Sequence, residues 1–80
     1  MNIEIFGKTN CTYCDKAKFV AQAFIQETKH TYEYKQLGTH FDMQFVAENF
    51  PTARTFPQIR IDGENIGGYT EFEEKISGLR

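Results

Sequence analysis

Eighty residues with 40% hydrophobic and 25% charged content are enough for one small domain and too few for two, so residues 1–80 are expected to fold as a single domain. A chain this short buries only about 60–65% of the surface its unfolded form exposes, and eight Phe and four Tyr supply the bulk such a core needs. A net charge of −2 argues against nucleic-acid binding, and no apolar run is long enough to span a membrane. The stretch Met1 to Lys8 also lacks the basic and then apolar pattern of a secretory signal, which leaves the cytosol as the expected compartment.

Residues Asn2 to Phe6 read as a strand closed by Gly7, with Glu4 out of place if both faces are buried. From Thr12 to about Thr28, the apolar residues Ala17, Val20, Ala21, Phe24 and Ile25 recur at the spacing of one helical face, while Lys16, Lys18, Gln22 and Gln26 take the others. Thr31 to Gln36 alternates Tyr32 and Tyr34 with polar residues, the period of a half-buried edge strand. A second helix is predicted behind Thr39, capped together with Asp42 and carrying Phe41, Phe45 and Val46 toward Phe50, and Pro51 ends it. Gln58 to Ile66 holds two short β-rich runs around Asp62-Gly63, a pair suited to positive φ, and reads as a hairpin. Thr70 and Glu73 form a second capping box, ahead of Phe72, Ile76 and Leu79 on one face of a last helix.

The order is therefore β-α-β-α-β-β-α. Two strands joined by a helix should pair in parallel through a right-handed crossover, and the hairpin should add two antiparallel strands beside them. This predicts an α/β, thioredoxin-like fold with a four-stranded mixed sheet and three helices.

Cys11 and Cys14 form a C-x-x-C pair where the first strand hands over to the first helix. A structural disulfide across so small a loop gains little in a reducing compartment, which leaves redox chemistry or metal binding. Cys11 is expected among the unpaired N–H groups of a helix start, with the positive end of the helix dipole beneath it. In such settings cysteine pKa values fall from about 8.5 to between roughly 3.5 and 7.5, and the thiolate is the form that attacks disulfides. Cys14 lies one helical turn on, within reach of a mixed disulfide formed on Cys11, so Cys11 is read as the nucleophile and Cys14 as the resolving thiol. The metal reading is weakened because nine residues separate His30 from His40 and no second cysteine pair is present; both histidines read as surface loop residues.

Three separated motifs, Gly7-Lys8-x-x-Cys11-Thr12-Tyr13-Cys14, Thr55-Phe56-Pro57-Gln58-Ile59 and Ile66-Gly67-Gly68-Tyr69-Thr70-Glu71-Phe72, together resemble the glutaredoxins, specifically the short dithiol kind of bacteria and their phages. The resemblance spans residues 2 to about 79. It implies a glutathione-dependent thiol–disulfide oxidoreductase that reduces protein disulfides and glutathione mixed disulfides, with glutathione as co-substrate and no tightly bound cofactor or metal. It also implies a monomer in the cytoplasm of a bacterial cell or a phage-infected host, with disulfide-bearing or glutathionylated proteins as partners and ribonucleotide reductase among the recipients.

Carried over by position, Pro57 matches a cis-proline packed against the cysteine pair, and Thr55 and Phe56 precede it in the same loop. Lys8 is placed to meet the glycine carboxylate of glutathione, with Arg54 assisting. The Phe56 backbone pairs with the cysteinyl moiety, and Tyr13 covers the edge of the site. Gly68 allows close backbone approach, Thr70 opens the last helix toward the γ-glutamyl carboxylate, and Glu71 accepts the ammonium. The chain departs from the family pattern at Thr12, where proline is common, at Phe56, where a small β-branched residue is commoner, and at Glu71, where aspartate is commoner. Two other readings accompany this one: a carrier in which Cys11 thiolates of two chains and two glutathiones hold an iron–sulfur cluster, and a redoxin recycled directly by a thioredoxin reductase. A redox-inert interaction domain is disfavoured, having no need of C-x-x-C at a helix start.

Overall fold

The computed structural model describes every residue except Thr28, Arg54 and Arg80, and leaves out the Glu27 side chain. The elements follow the expected order: β1 (Asn2–Gly7), α1 (Thr12–Glu27), β2 (Thr31–Gln36), α2 (Met43–Asn49), β3 (Gln58–Ile61), β4 (Glu64–Gly67) and α3 (Tyr69–Leu79). The sheet runs β2-β1-β3-β4, with β1 parallel to β2 and antiparallel to β3, which in turn is antiparallel to β4. The thioredoxin-like fold therefore stands as read, and β2 is an edge strand.

Alternation along β1 builds two cores. Ile3 and Ile5 face one side, where Ala17, Ala21 and Phe24 of α1 and Phe72 and Ile76 of α3 close over Ile59 and Ile61. Phe6 faces the other side and gathers Phe41, Val46 and Phe50 beneath α2; the Phe6 ring lies 5.1–5.4 Å by centroid from those of Phe41, Phe45 and Phe50. Glu4 shares that second face, and its place there is explained by two cations. Lys35 Nζ of β2 donates to Glu4 Oε2 at 2.8 Å, and Arg60 Nε of β3 stands 3.4 Å from Glu4 Oε1. The Arg60 guanidinium also caps the Phe6 ring at 4.9 Å. The hydrogen bond from Lys35, and then the charge of Arg60, hold the Glu4 carboxyl below its ordinary value against the desolvation that raises it. The same bond raises Lys35.

Local expectations are corrected at four places. α2 is capped by Asp42, not Thr39: Asp42 is extended and its Oδ1 accepts from the Phe45 N–H at 2.9 Å, the short reach a carboxylate makes to its own helix. Thr39 sits in a turn, donating its N–H to the Gln36 carbonyl, and Phe41 forms a bridge with Leu37 instead of a helical turn. α3 begins at Tyr69 and its start is held by Glu71, whose Oε1 accepts from the Gly68 N–H at 2.9 Å, so the Thr70–Glu73 box is not formed as expected. Leu79, placed on the buried face by its spacing, is 51% exposed in the last turn of α3. The hairpin forms as predicted, with Asp62 at φ 52° and Gly63 at φ 82°, the two left-handed residues a tight turn of this hand requires. His40 is exposed as read, whereas the surface reading of His30 is corrected: it is half-buried, its ring stacked on Phe24 at 5.0 Å.

Candidate active site

β1 ends at Gly7, and the turn that follows, with Asn10 at φ 54°, delivers Cys11 to the start of α1. Gly7 is required by close approach: a Cβ there would collide with the Tyr34 ring of β2, so only glycine lets the strand end lie against that ring. Cys11 and Cys14 are joined by a disulfide with their Cα atoms 5.2 Å apart. The two sulfurs differ in setting. Cys14 is fully buried, while Cys11 is partly exposed and its sulfur accepts the Cys14 N–H at 3.1 Å. This amide is one of the free donors of the helix start, the type of group that stabilises sulfur as a thiolate.

Across from the cysteines, the Phe56–Pro57 peptide bond is cis. Pro57 is buried, and the Phe56 carbonyl lies 3.7 Å from Cys11 Sγ. Between this loop and the start of α3 lies an open groove of about 380 Å³, lined by Tyr13, Thr55, Phe56, Pro57, Gly68, Tyr69, Thr70 and Glu71. Gly67, at φ 114°, lets the Glu71 side chain fold back toward the Gly68 amide, since a Cβ at Gly67 would press on that carboxylate. Tyr13 and Tyr69 form one wall, with ring centroids 5.7 Å apart.

Seven of the residues singled out in the sequence thus border one groove. Lys8 is not among the residues that line it; its Nζ lies 5.8 Å from the centre of the ring of Phe56, which does. Arg54 lies outside the described residues. Tyr69 was missed, although it stands within the third motif. It sits at i, i+3, i+7 spacing with Phe72 and Ile76 and so reads as core, and its ring does pack against that core while also facing the groove. Among the described residues, no three His, Cys, Asp or Glu gather as a metal site, and no helix is long and apolar enough to cross a membrane.

A disulfide-bonded C-x-x-C pair at a helix start, facing a cis-proline loop on this sheet, defines a thiol–disulfide oxidoreductase of thioredoxin-like fold. The comparisons narrow the class. A family model described as Glutaredoxin matches residues 3–66. Glutaredoxin 1 of Escherichia coli is 36% identical over 77 residues, covering 90% of this chain and 88% of that protein. A glutaredoxin of Vibrio cholerae is 34% identical over 77 residues, covering 91% and 87%. The NMR structure of oxidised Escherichia coli glutaredoxin matches with a TM-score of 0.84 at 30% identity over 96% of this chain and 94% of that one; the reduced form matches with 0.81 at 30% identity over 98% and 95%. The chain belongs to the glutaredoxin family.

Proposed function

We propose that this glutaredoxin uses glutathione to reduce protein disulfides and to remove glutathione from protein thiols, acting as a monomeric single domain in the cytoplasm of a bacterial cell or phage-infected host. The reading is carried by the groove between the cis-proline loop and the start of α3, one of whose lining residues, Phe56, has its carbonyl 3.7 Å from Cys11 Sγ. Glutathione brings a cysteinyl backbone, two carboxylates and one ammonium, and each meets a matching group. The Phe56 main chain beside the cis bond suits the cysteinyl backbone, and Tyr13, Thr55 and Pro57 shape the slot around it. Gly68, which allows close approach, and the Thr70 amide at the first turn of α3 suit the γ-glutamyl carboxylate, with Glu71 for the ammonium and Lys8 for the glycine carboxylate. Arg54 is proposed to assist Lys8.

In the proposed cycle the Cys11 thiolate attacks the glutathione sulfur of a mixed disulfide, and the protein thiolate departs and takes a proton from water. The glutathionyl group on Cys11 is then released in one of two ways. A second glutathione thiolate displaces it as glutathione disulfide, or Cys14 displaces it as glutathione and leaves the Cys11–Cys14 disulfide, which two further glutathiones reduce. Burial of Cys14 and exposure of Cys11 support this division of roles. Ribonucleotide reductase is proposed among the protein recipients.

Paired variants test the cycle in an assay coupled to glutathione reductase. Cys11→Ser should abolish turnover of a glutathione mixed disulfide, while Cys14→Ser should retain it, because that reaction uses one thiolate. Equal loss in both variants overturns the assignment, and retained reduction by thioredoxin reductase without glutathione overturns the glutathione dependence.

A further inference from the structure

The Phe56 side chain is half-buried and packs against the Phe6, Phe41, Val46 and Phe50 cluster, its ring centroid 6.4 Å from that of Phe41. Phe56 borders the groove, its carbonyl lies 3.7 Å from Cys11 Sγ, and Lys8 Nζ stands over its ring at 5.8 Å from the centroid. A lysine ammonium on its four-carbon stem samples many rotamers, and each must be given up when it meets an anion. A ring anchored in a packed aromatic cluster restricts that sampling by attracting the cation to its negative face.

We propose that Phe56 is a positioning residue: its ring holds the Lys8 ammonium on the Phe56 side of the groove, so that the glycine carboxylate of glutathione meets a charge already in place. The inference rests on the glutathione reading of the groove and states how one of its charges is set. Phe56 acts here through Lys8.

The test compares mixed disulfides of one reporter peptide with glutathione and with glutathione amide, in which a carboxamide replaces the glycine carboxylate. The readout is the ratio of the two KM values. Phe56→Leu should reduce the preference for the carboxylate about two- to fivefold, the size of an exposed cation–π contact. Phe56→Tyr, which keeps an aromatic face, should restore it, and in a Lys8→Ala background Phe56→Leu should change the ratio no further. A merely structural loss in the loop raises both KM values together and leaves the ratio unchanged, which overturns the inference. A preference that persists in Phe56→Leu, or a drop that persists in the Lys8→Ala background, also overturns it. A parent protein with no preference for the carboxylate overturns the Lys8 contact under the proposed function and the inference with it, so the two failures are told apart.

Discussion

The Glu71 carboxylate holds the start of α3, and under the proposed function it also meets the ammonium of glutathione; two substitutions separate the two roles. One oxygen accepts the Gly68 N–H at 2.9 Å at the start of α3. Glu71→Gln keeps an oxygen acceptor there and removes the charge, whereas Glu71→Ala removes both. Loss of a helix-start acceptor destabilises by ~1 kcal/mol. With a urea slope near ~1 kcal/mol/M for so small a chain, the Ala midpoint should fall by ~1 M. The Gln midpoint should fall by only ~0.3 M, reflecting the lost negative charge at the exposed helix start. Binding should respond differently. An exposed carboxylate–ammonium contact contributes up to ~1 kcal/mol, so KM for a glutathione mixed disulfide should rise by up to about fivefold in both variants with kcat largely retained. Urea unfolding followed by far-UV circular dichroism and initial rates in the coupled assay measure the two effects. A Gln variant as unstable as the Ala variant would refute the acceptor role, and an unchanged KM in both would refute the ammonium contact.

Stability should depend on pH through the Glu4–Lys35–Arg60 group. The folded Glu4 carboxyl lies below its ordinary value of 4.5, so its stabilisation is complete above that pH and is lost as pH falls through the lowered folded value. Lys35 lies above its ordinary 10.5, so its stabilisation is complete below that pH and is lost as pH rises through the raised value. Urea midpoints between about pH 2 and pH 6 should show a steeper acid decline in the parent than in Glu4→Gln, and parallel curves would remove the group from the acid limb. Gly7→Ala should destabilise by ~1–3 kcal/mol because the added methyl meets the Tyr34 ring, and an unchanged urea midpoint would show that the ring moves aside freely.

The sequence alone determined what rests on local chemistry and short periods. The apolar stripe of α1, the alternation of β2, the Asp62-Gly63 turn and the order of elements are legible because each depends on residues within a few positions of one another. The cysteine pair at a helix start is legible for the same reason. Helix starts were read less well, since several side chains compete for the same free amides. Asp42 prevailed over Thr39 because the latter's backbone is held in the turn to Gln36, and Glu71 prevailed over the Thr70–Glu73 pair because Gly67 lets its side chain fold back. Tertiary structure alone decided the rest. Glu4 is tolerated because β2 and β3 bring Lys35 and Arg60 to it from 31 and 56 positions away. Tyr69 lines the groove because the fold sets α3 beside α1, so that a residue with core spacing meets Tyr13 on the same wall. Such contacts join residues far apart in the chain, and no local period or motif records which side chains the folded sheet brings together.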